Sequence, residues 1–463
     1  MVSKEFDLAI IGAGVVGSAI AREFAKYDLS IALIDGKGDV GDGTSKANTA
    51  ILHTGFDMTP GSIESKLVAE GYHLLKNYAQ EVNIAMESLG GLLVAWSEEE
   101  VANLPKLKQK AEENGYTECE LISSEQLYKL EPNLGKGALA ALTVPGEWII
   151  DPWTPIIAFA TQAKLAGAQI LLNTKVEKIT HQGEVFNLSC TTTTGDLKIT
   201  CKGLINAAGL YSDEIDGQLG YTDFKITPRR GELIVFDKLS RRLINHVILP
   251  VPSAMGKGVL VAPTVFGNIM LGPTAENLSD KSATGSTNTG LDLLKQKGGR
   301  IAPALLDEEI TAIYAGLRAA SEHSDYQIKA HKVNNVGNYV TVGGIRSTGL
   351  TASMAIANYV KQLLIAAGLK LVGEKELPKI WMNNLGEATL RSYQDEEKIN
   401  QSPLHGEIIC HCEKSTMQEL LDALASPIPP TDLASLGRRS RAGLGRCQGF
   451  YCHSSLRKLL EKR

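Results

Sequence analysis

The sequence predicts an α/β fold that opens on a Rossmann-type sheet and contains more than one structural unit. Three observations carry this prediction. An apolar run, a glycine-rich turn and an amphipathic stretch follow one another at the N-terminus. The 463 residues are enough for two or three units rather than one core. Finally, four of the seven cysteines crowd together from position 410 onward, where the chain changes character.

Composition narrows the functional classes. The chain is 43% hydrophobic and 21% charged, as in ordinary globular proteins and unlike disordered ones. A net charge of −5 gives no reason to expect nucleic acid or an acidic membrane as the main partner. The 45 glycines exceed the usual share, which suits many close backbone approaches to a ligand. Lys4 ahead of an apolar run imitates a signal peptide, but Glu5 and Asp7 interrupt it, and no export signal is read. No window approaches the ~18 apolar residues of a membrane-spanning helix, whereas a peripheral membrane surface stays compatible with the sequence. The odd cysteine count points to the reducing cytosol, where grouped cysteines serve metal or redox chemistry.

The first element is a strand over residues 6–11, followed by Gly12, Gly14 and Gly17 in GAGVVG. A helix then runs to about Tyr27, and a second strand spans Ser30 to Ile34 and ends at Asp35. Strand, turn, helix, strand and acid stand in the order of a dinucleotide site. The glycines admit a pyrophosphate to backbone N–H groups at a helix N-terminus, and the carboxylate of Asp35 takes ribose hydroxyls. The plainer alternative is glycines serving only tight helix–strand packing.

Residues 41–61, GDGTSKANTAILHTGFDMTPG, narrow the choice of dinucleotide. Through Thr44, Ser45, Asn48, Ile51, His53 and Gly55 the sequence resembles the flavoprotein superfamily of glycerol-3-phosphate dehydrogenases, L-2-hydroxyglutarate oxidases and D-amino-acid or glycine oxidases. In that superfamily the stretch runs along the flavin, which implies FAD here. Thr49-Ala50 replaces the common Ser-Gly, and Asp35 the usual glutamate. Three later segments resemble further family pieces. GLINAAGLY would place Ala208 and Gly209 at the cofactor, and TKVEKI would bring the Val176 backbone to adenine. GGIRSTGLT, with Gly344, Ser347, Gly349, Leu350 and Thr351, would lie beneath the flavin. The resemblance covers about residues 5–370. It implies an α/β and α+β architecture in which a Rossmann-type FAD domain (about 1–84, 146–221 and 321–370) is interleaved with a mixed-sheet substrate domain (about 85–145 and 222–320).

Removing hydride from a carbon that bears a hydroxyl requires a base for the hydroxyl proton and cations for an anionic substituent. His53 directly follows the flavin-lining stretch and is the candidate base, since a neutral imidazole transfers protons near pH 7. Arg318 in YAGLRAAS resembles the family's "G.RP" arginine, with Ala319 replacing proline, and Arg346 lies in the third flavin motif, from which it can point into the substrate cavity. Both are candidate anchors because guanidinium offers paired, permanent donors to phosphate or carboxylate. Arg229 and Arg230 resemble a "PRRG" element leading into the substrate sheet. His73, His181, His246, His323 and His331 have no comparable context and read as surface or structural residues.

Residues 371–405 read as a linker and 406–463 as a small helical domain. Its cysteines are spaced C-x-C, 34 residues, C-x4-C. Four thiolates in two pairs can hold zinc or a [2Fe–2S] cluster, and zinc knuckles generally use C-x2-C. The pattern resembles bacterioferritin-associated ferredoxins, above all the variant fused to glycerol-3-phosphate dehydrogenases. That implies a [2Fe–2S] cluster on Cys410, Cys412, Cys447 and Cys452, with Arg438, Arg439, Arg441 and Arg446 placed to offset its charge. The expected activity is oxidation of a small anionic substrate, sn-glycerol 3-phosphate, to dihydroxyacetone phosphate. Electrons would leave the flavin through the cluster to a quinone, a partner subunit or a soluble carrier. The expected location is the cytoplasm or the inner face of the cell membrane. The alternatives are an L-2-hydroxy acid such as 2-hydroxyglutarate, an amino acid or secondary amine, and, in another class, a non-catalytic flavin/iron–sulfur electron carrier.

Overall fold

A computed structural model describes residues 2–252, 258–333 and 336–462. The opening strand is longer than its apolar run and spans Val2–Ile11. Only Leu8–Ile11 is continuously buried, because there the strand lies between parallel neighbours in a sheet covered on both faces. Its polar first half pairs with the long strand Gly195–Asn206 nearer the sheet margin, where burial is not demanded. The first helix runs Val15–Phe24, ending three residues short of Tyr27, and the second strand is Ile31–Ile34.

The parallel core of the large sheet reads Gln169–Leu171, Ile31–Ile34, Val2–Ile11, Gly195–Asn206 and Val336–Gly343, with Gln327–Val333 antiparallel at the edge. The antiparallel strands Thr174–Gln182 and Val185–Thr192 form a meander with Gly195–Asn206. Three largely buried helices, Val15–Phe24, Thr154–Leu165 and Gly349–Ala366, pack together beside the sheet. Helix Ile63–Glu81 lies against the last of them. Thr154–Leu165 is apolar nearly all round and carries Pro155 in its first turn, as a fully covered helix allows.

A second, nine-stranded mixed sheet is assembled from strands between Gly91 and Val144 and between Ile226 and Ser321. Its longest pairing joins Ile226–Phe236 antiparallel to Ile310–Ser321. The chain thus leaves the first sheet twice and returns twice, and this interleaving brings strands Ile226–Phe236 and Ile310–Ser321 of the second sheet against the turn Gly209–Tyr211, which follows the C-terminal end of the parallel strand Gly195–Asn206. That is where open α/β sheets bind their ligands.

Residues 371–405 run along the first unit. Backbone bonds tie Lys375 to Lys26 and Met382 to Val82, and a short helix follows at Glu396–Gln401. The C-terminal module has a two-stranded ladder, Ile408–Cys410 with Ser415–Thr416, and helices Met417–Ala425, Leu433–Ser440 and His453–Glu461. Leu420, Leu436, Ala442, Leu456, Cys410 and Cys452 form its own small core. Among the described residues no helix is long and apolar enough to cross a membrane.

Candidate active site

The glycine-rich turn is built by close approach. Gly12 has φ +104°, and a Cβ there would lie 2.3 Å from the Ala207 carbonyl oxygen; one on Gly17 would lie 1.8 Å from the Gly12 oxygen. The turn therefore sits directly on the Ala207–Ala208 segment that follows the strand Gly195–Asn206. Gly14 is the N-cap of the first helix and offers no side-chain cap, leaving that helix end to backbone donors. Ser45 covers one of them, its Oγ accepting from the Val15 N–H at 3.0 Å. Asp35 accepts from Ala13 N–H at 2.7 Å and Lys37 N–H at 2.9 Å. Burial pushes the Asp35 carboxyl above its ordinary value against the pull of those two donors.

The other cofactor candidates take their places around this turn. Ala208 N–H donates to the Asn206 side chain, and Gly209 has φ +56°. Val176 pairs with Cys190 beside a bulge in the meander. Thr44 donates to the Leu317 carbonyl at 2.8 Å, and Tyr314 donates to the Asn48 carbonyl. The stretch 44–48 is thereby pressed onto the strand Ile310–Ser321. Gly344 has φ +65°; Gly349, Leu350 and Thr351 are buried at the start of the last long helix, and Ser347 is exposed.

His53 follows the two-residue strand Ile51–Leu52, and its backbone N–H donates to Thr351 Oγ1 at 3.1 Å. The third motif thus touches the first. The imidazole stacks on Phe56 with centroids 5.4 Å apart. Its Nδ1 accepts the Gly55 N–H at 3.0 Å and lies 3.4 Å from Glu147 Oε1. Its Nε2 lies 3.4 Å from Asp57 Oδ1. Neither carboxylate stood out in the sequence. Asp57 falls in the quoted HTGFD stretch, but Glu147 comes from a turn 94 residues further on and carries no local signal.

The two candidate anchoring arginines differ. Arg318 is half-buried, and its guanidinium makes two long bonds of 3.3 Å to the Thr274 carbonyl. Burial lowers it to about 10, with the neighbouring Arg229 adding repulsion, so it stays a cation at neutral pH. Arg346 is occupied: it bonds the Ser324 carbonyl and the Glu64 carboxylate, and Glu64 also accepts from Thr348. Its guanidinium anchors the third motif to the helix Ile63–Glu81. Arg229 bonds Asn277, and Arg230 bonds Glu276. His246, with no context in the sequence, pairs with the fully buried Glu131 at 2.7 Å.

In the C-terminal module the four cysteines form two contacting pairs, Cys410 with Cys452 and Cys412 with Cys447. Cys410 Sγ accepts the Gly443 N–H at 3.5 Å, and backbone N–H groups of Tyr451, Gly449 and Phe450 point at Cys447. Burial and the nearby Cys410 push Cys452 up to about 12. Among the described residues no group of three or more His, Cys, Asp or Glu side chains is arranged to hold a metal ion. The basic run is used differently from the expectation. Arg438 and Arg439 both grip Asp39 at 2.7 Å, Arg441 pairs with Glu413, and Arg446 with Glu309. Carboxylates of the protein therefore already take up these four charges, and two of the partnerships fasten the module beside the second strand, at Asp39.

The model for the family described as FAD dependent oxidoreductase matches residues 7–363. A glycerol 3-phosphate dehydrogenase of Caloramator mitchellensis is 35% identical over 99% of this chain and 94% of its own. A glycerol 3-phosphate oxidase of Mycoplasma pneumoniae is 32% identical over 77% of this chain and 94% of its own. The dithionite-reduced, FAD-bound structure of the L-α-glycerophosphate oxidase from Mycoplasma pneumoniae superposes with a TM-score of 0.76 at 31% identity, covering 82% of this chain and 99% of that one.

Proposed function

The chain belongs to the FAD-dependent oxidoreductase family, as an enzyme of the glycerol-3-phosphate dehydrogenase/oxidase type, and from that premise we propose that it is a dehydrogenase for sn-glycerol 3-phosphate that passes electrons onward through a C-terminal [2Fe–2S] cluster. The observation that carries the choice is the extent of likeness. The match to the dehydrogenase runs through the four-cysteine module, whereas the match to the Mycoplasma oxidase covers only 77% of the chain. An oxidase gives electrons to oxygen and has no need of a second carrier.

FAD fits the residues present: a helix N-terminus without a side-chain cap, glycines at 12 and 17 where any Cβ would collide, and a half-buried carboxylate, Asp35, that accepts the Ala13 N–H of the turn at 2.7 Å. Bound FAD supplies the hydride acceptor. Around it, the chain's own residues have three tasks. Arg318, a cation bonded to the Thr274 carbonyl and to no carboxylate among the described residues, suits the substrate phosphate. His53 takes the hydroxyl proton as the C–H bond gives up its hydride and the C–O bond becomes a carbonyl. The strand Ile310–Ser321 holds the flavin-lining stretch against the substrate sheet.

In the cysteine module the thiols stand as two contacting pairs, Cys410 with Cys452 and Cys412 with Cys447, and backbone N–H donors face the sulfurs of Cys410 and Cys447, as thiolate ligands require. Among the described residues no three of these side chains are arranged about a metal, so a cluster would have to draw the two pairs together. Cys410, Cys412, Cys447 and Cys452 would be the ligands, and a bound cluster supplies one-electron carriage to a downstream acceptor.

Anaerobic addition of sn-glycerol 3-phosphate, followed by visible spectra, EPR, and iron and sulfide analysis, tests the proposal. Flavin bleaching with a growing reduced-cluster signal is expected. Bleaching by L-2-hydroxyglutarate alone would move the enzyme to 2-hydroxy acids. A protein without iron and sulfide would remove the electron route while leaving the flavin chemistry intact.

A further inference from the structure

Resting on the reading of His53 as proton acceptor, we infer that Glu147 is a positioning residue that sets which nitrogen of the His53 ring carries the proton. Glu147 lies between the strands Ala140–Val144 and Trp148–Ile150 and is 0% exposed. Its Oε1 accepts both the backbone N–H and the hydroxyl of Thr54, each at 2.8 Å, and stands 3.4 Å from His53 Nδ1. Its Oε2 has no hydrogen-bond partner among the described residues. A carboxylate withdrawn from water and left half-satisfied is costly, and a cation or N–H donor beside it offsets that cost.

Nδ1 has two neighbours with opposite needs. The Gly55 N–H, at 3.0 Å, requires a lone pair on Nδ1; Glu147 requires a proton there. With Nδ1 bare, the ring proton sits on Nε2 and faces Asp57, so no lone pair is left for substrate. With Nδ1 protonated towards Glu147, Nε2 is the free base. The substrate hydroxyl then gives its proton to Nε2, and the resulting imidazolium lies between two carboxylates. The proton count balances without Glu147 changing state. The 3.4 Å separation is long for a hydrogen bond, and catalytic contacts commonly tighten only around bound substrate.

Other ionisable groups packed about this corner stay neutral. Burial raises Tyr72 to about 12 and Cys119 to about 12, and raises Tyr116 as well, with the Glu147 charge contributing to each. Lys108, Glu112 and Glu118 stand further round, against Cys119. The Thr351 hydroxyl accepts the His53 backbone N–H and donates to the Ile51 carbonyl.

The test is the pH profile of kcat/KM, with an artificial electron acceptor, for wild type, Glu147→Gln, Glu147→Asp and Asp57→Asn. A neutral ring is the active form, so activity rises with pH through the His53 transition. Removing a neighbouring carboxylate lowers that transition, and the acid limb in Glu147→Gln is expected to move down by about 1 pH unit. Glu147→Asp should restore much of the shift. A loss of rate at every pH with an unmoved limb is the signature of a merely structural residue and overturns the inference. If Glu147→Gln fails to hold flavin, imidazole ¹⁵N spectra of the flavin-loaded wild type decide: a proton on Nδ1 supports the inference, and a proton on Nε2 alone defeats it. His53→Ala separates the two levels. Flavin reduction by substrate surviving in that variant removes the base itself, whereas its loss alongside an unmoved limb in Glu147→Gln removes only the role of Glu147.

Discussion

At the scale of single residues, the two candidate arginines show how a shared chemistry divides. Arg318 has a carbonyl for its partner and keeps its guanidinium available to an anion. Arg346 is already neutralised by Glu64. Arg318→Gln is therefore expected to raise KM for sn-glycerol 3-phosphate about 10- to 100-fold, the worth of one charge-assisted contact. Arg346→Gln should leave KM within a few-fold and instead loosen the third flavin motif. Steady-state kinetics together with flavin content distinguish the two, and an equal effect on KM would contradict this division. Both residues were legible in the sequence as arginines in motif positions. Their partners were not, because Glu64 and Thr274 lie 282 and 44 positions away in the chain.

Among elements, the joint between the opening strand, the first helix and the Ala207–Ala208 turn is the tightest place in the cofactor site. A methyl group on Gly17 would sit 1.8 Å from the Gly12 oxygen and force the helix away from the strand. Gly17→Ala is expected to yield folded protein with little or no flavin, measured as the flavin-to-protein absorbance ratio. Full flavin loading would mean that the helix can shift without cost to the site. This joint was readable from sequence because strand, turn, helix and acid occupy 30 consecutive residues (6–35), and local periodicity reports local contacts. The ends were less legible. The strand begins at Val2 because of pairing with residues 197–200, a partner that no local pattern announces.

For the whole molecule, the C-terminal module is clamped to the first unit by buried charge. Asp39, 3% exposed, is held by both Arg438 and Arg439, and Arg438 reaches Asp42 as well. Arg441 lies over the rings of Trp153 and Phe266 and pairs with Glu413, which also meets Lys238 of the substrate sheet. The Trp153 indole donates to the Lys46 carbonyl in the flavin-lining stretch, so the module rests on the wall of the cofactor site. Asp39→Ala leaves the buried Arg439 without its carboxylate and Arg438 with Asp42 alone, and should cost about 3–5 kcal/mol of docking or folding stability. Hydrogen exchange in Leu433–Ser440 is the measurement. Protection equal to wild type would show that the apolar contacts hold the module without the ion pairs.

By itself the sequence determined the strand, glycine-rich turn and helix that open the chain, the motif positions of His53 and the candidate arginines, and the grouping of four cysteines. Each is a short motif whose spacing is imposed by contacts within a few residues. Only the tertiary structure decided which of these groups are already engaged. It brought Glu147 to the His53 ring, tied Arg346 to Glu64, and turned Arg438 and Arg439 from neighbours of the cysteines into a clamp on Asp39. Charges find partners through space, and in a chain that leaves its first sheet twice and returns twice, spatial neighbours lie hundreds of positions apart. Spacing along the chain reports backbone geometry, whereas pairing across it depends on how the two sheets and the module close on one another.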